Sequence, residues 1–68
     1  MLPKDKARIL AYKEGMRELG LNLIPVVPDR AWVLCKLDYQ SGQTIEIAQI
    51  YYDSQKPFNE RFCIEKPK

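Results

Sequence analysis

Two apolar-rich runs, AWVLCKLDY from Ala31 and TIEIAQIYY from Thr44, flank a short polar segment whose single glycine is Gly42. β-Branched and aromatic residues dominate both runs, so Arg30 to Tyr52 reads as a β-hairpin with strands over 31–39 and 43–52. The rest of the chain has to be arranged around that hairpin. A three-residue loop of Gln40, Ser41 and Gly42, with Gly42 left-handed, would pair Tyr39 with Gln43, Leu37 with Ile45, Lys36 with Glu46 and Cys35 with Ile47. Slipping by one residue opposes Leu37 to Glu46, and slipping by two opposes Asp38 to Glu46, so the pattern specifies its own register.

Upstream of the hairpin, Ile9, Tyr12, Met16 and Leu19 recur at helical spacing, which predicts a helix over about 4–19. Pro3 suits its first turn, Gly20 its left-handed cap, and Gly15 would allow close approach beside the stripe. Lys4, Lys6, Arg8, Lys13 and Arg17 are mixed along it with Asp5, Glu14 and Glu18, the pattern of a solvated face with local ion pairs. The next apolar run, LNLIPVVPD, is broken by Pro25 and Pro28. It fits either an edge strand over 23–27 or an extended connection, since proline cannot donate to a central ladder. After the loop DSQKP, Phe58, Phe62 and Ile64 predict a last strand over 58–65, and the tail Lys66, Pro67, Lys68 is expected to fray.

These elements define an α+β fold in one domain, 1–68. One N-terminal helix packs on an antiparallel sheet of three strands, or four if 23–27 pairs, in the order α-(β)-β-β-β. Strict alternation would put Val33, Cys35, Leu37, Ile45 and Ile47 under the helix with Phe58, Phe62 and Ile64. Trp32, Leu34, Ile50 and Tyr52 would then lie on the outer face, unless a bulge near Gln49 turns Ile50 and Tyr52 inward. A helix-on-sheet domain leaves that outer face to solvent, to a partner, or to the loop after Asp53.

At 68 residues the chain buries only about 60% of its unfolded surface, with no room for a deep enclosed site. Hydrophobic residues at 46% and charged residues at 29% argue for a folded domain rather than disorder. A net charge of +2 with interspersed signs does not demand an anionic partner. Apolar runs are too short for a membrane span or a signal peptide, so the expected setting is cytoplasmic. Cys35 and Cys63 form no CxxC pair and are expected to be reduced thiols. Without histidine, no metal site is expected.

The carboxylates are scattered, Ser41 and Ser54 look like turn residues, and the glycines form no phosphate loop, so no catalytic residue and no cofactor is assigned. The functional expectation is a non-enzymatic protein-interaction module, an inhibitor, adaptor or subunit. It would bind a protein partner, or a second copy as a homodimer, through Trp32, Leu34, Lys36, Ile50, Tyr52 and Arg61. A second reading is single-stranded nucleic-acid binding, with Trp32 and Tyr52 stacking bases beside Lys36 and Arg61, although Asp38, Glu46 and Glu65 would repel phosphate.

Overall fold

The computed structural model describes residues 1–66; Pro67 and Lys68, and with them most of the tail expected to fray, lie outside the described residues. Helix α1 spans Pro3–Glu18, followed by strands β1 (Leu21–Val27), β2 (Ala31–Leu37), β3 (Thr44–Tyr52) and β4 (Phe62–Glu65), with a 3-10 turn at Phe58–Glu60. The four strands form one antiparallel sheet in the order β1-β2-β3-β4, each paired with its neighbour in sequence. Among the described residues no helix is long and apolar enough to cross a membrane.

α1 starts and stops where its sequence dictates. Pro3 opens the first turn, Lys6 N–H donates to Leu2 O at 2.9 Å, and Gly20 at φ +80° closes the last turn by donating to Arg17 O at 3.0 Å. Ile9 is buried, and Tyr12 and Met16 pack beside it, as the stripe requires. Leu19 does not join them: it is 70% exposed, because it caps the helix instead of continuing it. Gly15 marks no close approach, since a Cβ there would meet no atom within 4 Å outside its own turn of helix.

LNLIPVV is a true edge strand, longer than expected: Leu21 pairs with Lys36 and Pro25 with Trp32, and the ladder shifts register between Pro25 and Val27. Proline is tolerated there because one side of an edge strand has no ladder to feed. At the other end of the sheet Phe58 is not in a strand. Pro57 starts a tight turn in which Glu60 N–H donates to Pro57 O at 2.8 Å, and pairing resumes only at Phe62.

The hairpin differs from expectation at its turn, and the difference propagates. Asp38, not Tyr39, closes the loop: its N–H donates to Gln43 O at 2.8 Å, and Gly42, at φ +73°, donates to Asp38 O at 2.8 Å. Asp38 is held there by its own side chain, which accepts from Gln40 N–H at 3.1 Å and from Ser41 Oγ at 2.9 Å. The Ser41 hydroxyl and the Gln40 amide hold its carboxyl below the usual carboxylate range. The loop is thus one residue longer than expected, and the ladder near the turn runs Leu37 to Thr44, Lys36 to Ile45 and Cys35 to Glu46.

One residue is then absorbed by a bulge. Leu34 pairs with Ala48, so Ile47 is left over between Glu46 and Ala48, and the Trp32–Ile50 end recovers the expected register. Ile47 turns toward the core with Ala48, while Glu46 stays on the opposite face with Gln49, whose Nε2 donates to Glu46 Oε1 at 3.2 Å.

The core decides which face α1 covers, and it reverses the expected assignment. Ile9 packs with Leu23, Trp32, Leu34, Ala48 and Ile50, with Tyr52 and Phe62 against them. Phe62 bridges the aromatics, its ring centroid 6.1 Å from Trp32 and 5.1 Å from Tyr52. The Trp32 face wins because it buries the larger apolar surface, whereas the face first assigned to the helix would have driven Gln49 under it. Of the expected core, Ile45 and Ile64 are exposed, Val33 and Leu37 half-buried, and Phe58 sits at the surface.

Candidate functional site

The described molecule is two layers thick, with a shortest extent of 18 Å, so the sheet face opposite α1 has no cover. Register and alternation place three rows of residues across it, with Leu37 and Thr44 beyond them at the hairpin end. The first row is Val27, Ala31, Tyr51 and Cys63; the second is Ile24, Val33, Gln49 and Glu65; the third is Asn22, Cys35 and Glu46. Ile24 and Val27 are each 45% exposed and Tyr51 is 41% exposed. Along β3 a polar line runs through these rows: the Tyr51 hydroxyl donates to Gln49 Oε1, and Gln49 Nε2 to Glu46 Oε1.

Comparison with protein-family models, with curated proteins and with solved structures finds no match.

The expected contact residues lie elsewhere. Trp32 is 8% exposed and Leu34 and Ile50 are buried with it beneath α1, so none of the three can meet a partner while the domain is folded. Tyr52 is half-buried on that same side. Lys36 is exposed but shares the parity of Trp32 and Leu34, not that of the open face. Arg61 rims no patch: its Nη1 donates to Asp5 Oδ2 at 3.1 Å and its Nε to Lys56 O at 3.0 Å. The cause is a parity reversal, with two apolar faces competing and the larger one going inside.

Asp5 is the residue the sequence reading missed. Its side chain is fully enclosed, and besides Arg61 it accepts from the Tyr52 hydroxyl at 2.6 Å. The Tyr52 hydrogen bond, then the Arg61 contact, hold its carboxyl below the usual carboxylate range against the upward push of burial, and the same bond pushes the Tyr52 phenol up. A signal was present: Asp5, Ile9, Tyr12 and Met16 are spaced four, three and four apart, which puts the carboxylate on the buried stripe. The triad ties the first turn of α1 to the ends of β3 and β4. It is a satisfied structural network, not an open site.

Beside it, Arg8 stacks over Phe58 with its guanidinium carbon 4.5 Å from the ring centroid, and donates to Phe58 O. The groove between α1 and β4, lined by Arg8, Ile9, Tyr12, Ile50, Phe62 and Ile64, has a volume of about 190 Å³. Small-molecule pockets run to about 300–1,000 Å³, so this groove is undersized for one. Cys35 and Cys63 are both free thiols, the first buried and the second exposed. Among the described residues no group of three or more Cys, Asp or Glu side chains is placed to hold a metal ion.

Proposed function

We propose that this chain is a small non-enzymatic protein-interaction module, an inhibitor, adaptor or subunit, which binds a protein partner through the sheet face opposite α1. One observation carries this reading: Ile24, Val27 and Tyr51 present a contiguous, largely apolar surface on a sheet that a single helix covers on one side only. Tyr51 supplies an aromatic anchor of the kind enriched at interface hot spots, and Gln49, Glu46 and Glu65 supply the polar margin. A cytoplasmic setting belongs to the same proposal.

Nucleic-acid binding is not carried forward, because the stacking residues it requires, Trp32 and Tyr52, pack under α1 and the rows of the open face carry Glu46 and Glu65 without a Lys or Arg. The interaction reading is tested by capturing proteins from the native source on the immobilised chain and on an Ile24→Ser, Tyr51→Ser double variant. Substitutions of such half-exposed strand residues cost about 1 kcal/mol or less each, so the variant should keep its fold while at least one specifically captured protein is lost. Identical capture by both forms would reject the open face as the contact surface.

A further inference from the structure

We infer that the occupant of the open sheet face is an amphipathic helix of a partner protein, apolar along one stripe and flanked by Lys and Arg. This rests on the interaction role proposed for the same face and adds the chemistry of the partner.

Charge selects it. Glu46 and Glu65 are the charged residues of the three rows, and neither takes part in an ion pair among the described residues. Such a patch is not a by-product of an acidic chain, since the net charge is +2. The cations among the described residues lie off these rows: Lys4, Lys6, Arg8, Lys13 and Arg17 ride on α1, Arg30 lies in the turn before β2, and Lys56 in the loop after β3. Lys36 has the parity of the helix-covered face, Arg61 is turned to Asp5, and Lys66 follows β4 one residue out of step with Glu65. A partner that covers Val33 and Tyr51 therefore brings Glu46 and Glu65 out of water, and must supply the opposite charge to avoid burying them unpaired.

Shape selects a helix. Four strands at about 4.8 Å spacing present a face about 14 Å between outer strand axes, wide enough for a helix about 10 Å across. The other side of this sheet is already covered that way, by a helix of 16 residues. Both Glu46 and Glu65 lie on the β3–β4 side, while Ile24, Val27, Ala31 and Val33 lie on the β1–β2 side. The complementary helix thus carries its apolar stripe toward β1 and β2 and its cations along one flank.

A second copy of the chain fits less well. The three rows hold no Lys or Arg, so two such faces stacked together offer Glu46 and Glu65 no cation from those rows, and the outward side of α1 offers Ala7, Ala11, Glu14 and Glu18 in place of an apolar stripe. A homodimer through this face would therefore leave its carboxylates uncompensated.

The test uses the full chain, isotope-labelled for amide NMR. It is titrated with a synthetic amphipathic peptide of about five helical turns bearing Leu on one stripe and Lys elsewhere, and with the same peptide carrying Glu for Lys. The Lys peptide should shift Val33, Gln49 and Tyr51. A folded Glu46→Gln, Glu65→Gln variant should bind it at least about tenfold more weakly, as should the wild-type chain when salt rises from about 0.1 to about 0.5 M. Equal binding of the two peptides, or shifts confined to α1, would overturn the inference. So would sedimentation at twice the 8.0 kDa chain mass with loss of peptide binding, which assigns the face to a second copy. If neither peptide binds while Ile24→Ser, Tyr51→Ser still abolishes protein capture, the interaction role stands and the helical, cationic partner is rejected.

Discussion

Ile50→Ala should remove much or all of the chain's stability, whereas Tyr51→Ala, one residue along, should leave it little changed. Ile50 is 2% exposed, opposite Trp32 on one strand and Ile64 on the other, beneath α1. Cutting a buried isoleucine back to alanine removes its transfer free energy and leaves a cavity, together about 2–5 kcal/mol. A 68-residue domain has a total stability of roughly 3–10 kcal/mol, so a loss of that size consumes much or all of it. Tyr51 points the other way, 41% exposed, and its loss should cost less than about 1 kcal/mol. Urea unfolding of the two variants reads the difference directly. Because a strand sends alternate residues to opposite faces, a reversed sheet would reverse the two costs.

Asp5→Asn should lower the thermal midpoint by about 10 °C or more and weaken the acid sensitivity of the fold. In the folded chain an ionised Asp5 accepts from the Tyr52 hydroxyl and from Arg61, so its carboxyl titrates below the unfolded value. A depressed folded pKa means stability that is fully present above about pH 4, where the unfolded carboxylate titrates, and lost as pH falls through the folded value. The alkaline limb has the opposite sign: Tyr52 is raised, so its contribution holds below about pH 10 and fades as pH rises through the folded value. One hydrogen bond thus bounds the stable window on both sides. Urea midpoints followed from about pH 7 to about pH 2.5 should fall steeply for the wild type and less for Asp5→Asn. Some acid slope should survive in the variant, because Asp38, held low by Ser41 and Gln40, titrates in the same direction. Equal slopes in both proteins would show that the buried triad does not govern acid stability.

What was legible in the sequence was local. The helix from Pro3, its Gly20 cap, the hairpin and the left-handed Gly42 all follow from residue chemistry acting within a few positions. The face assignment was not legible, because it depends on which of two apolar surfaces wins the helix. Val33, Cys35, Leu37 and Ile45 look as suitable as Trp32, Leu34 and Ile50 until Gln49 is placed. The bulge at Ile47 was hidden for a related reason: Asp38 lengthens the loop by capturing Gln40 and Ser41, and the strand corrects the slip several residues later. Asp5 was legible in principle from its place on the helical stripe, but its partners Tyr52 and Arg61 are remote in sequence, and only the fold brings them together. The contact surface moved with the face. Trp32, the residue that most suggested an interface, is the one that α1 protects.

The single tryptophan makes the central geometry directly measurable, since acrylamide quenching of Trp32 reports whether α1 covers its face and leaves the face of Ile24, Val33 and Tyr51 free for a partner. At 8% exposure, Trp32 in the native chain should emit to the blue and be quenched several-fold more weakly than in urea. Native quenching close to that of the unfolded chain would place Trp32 on the open surface, and would contradict both the fold assignment and the interaction face derived from it.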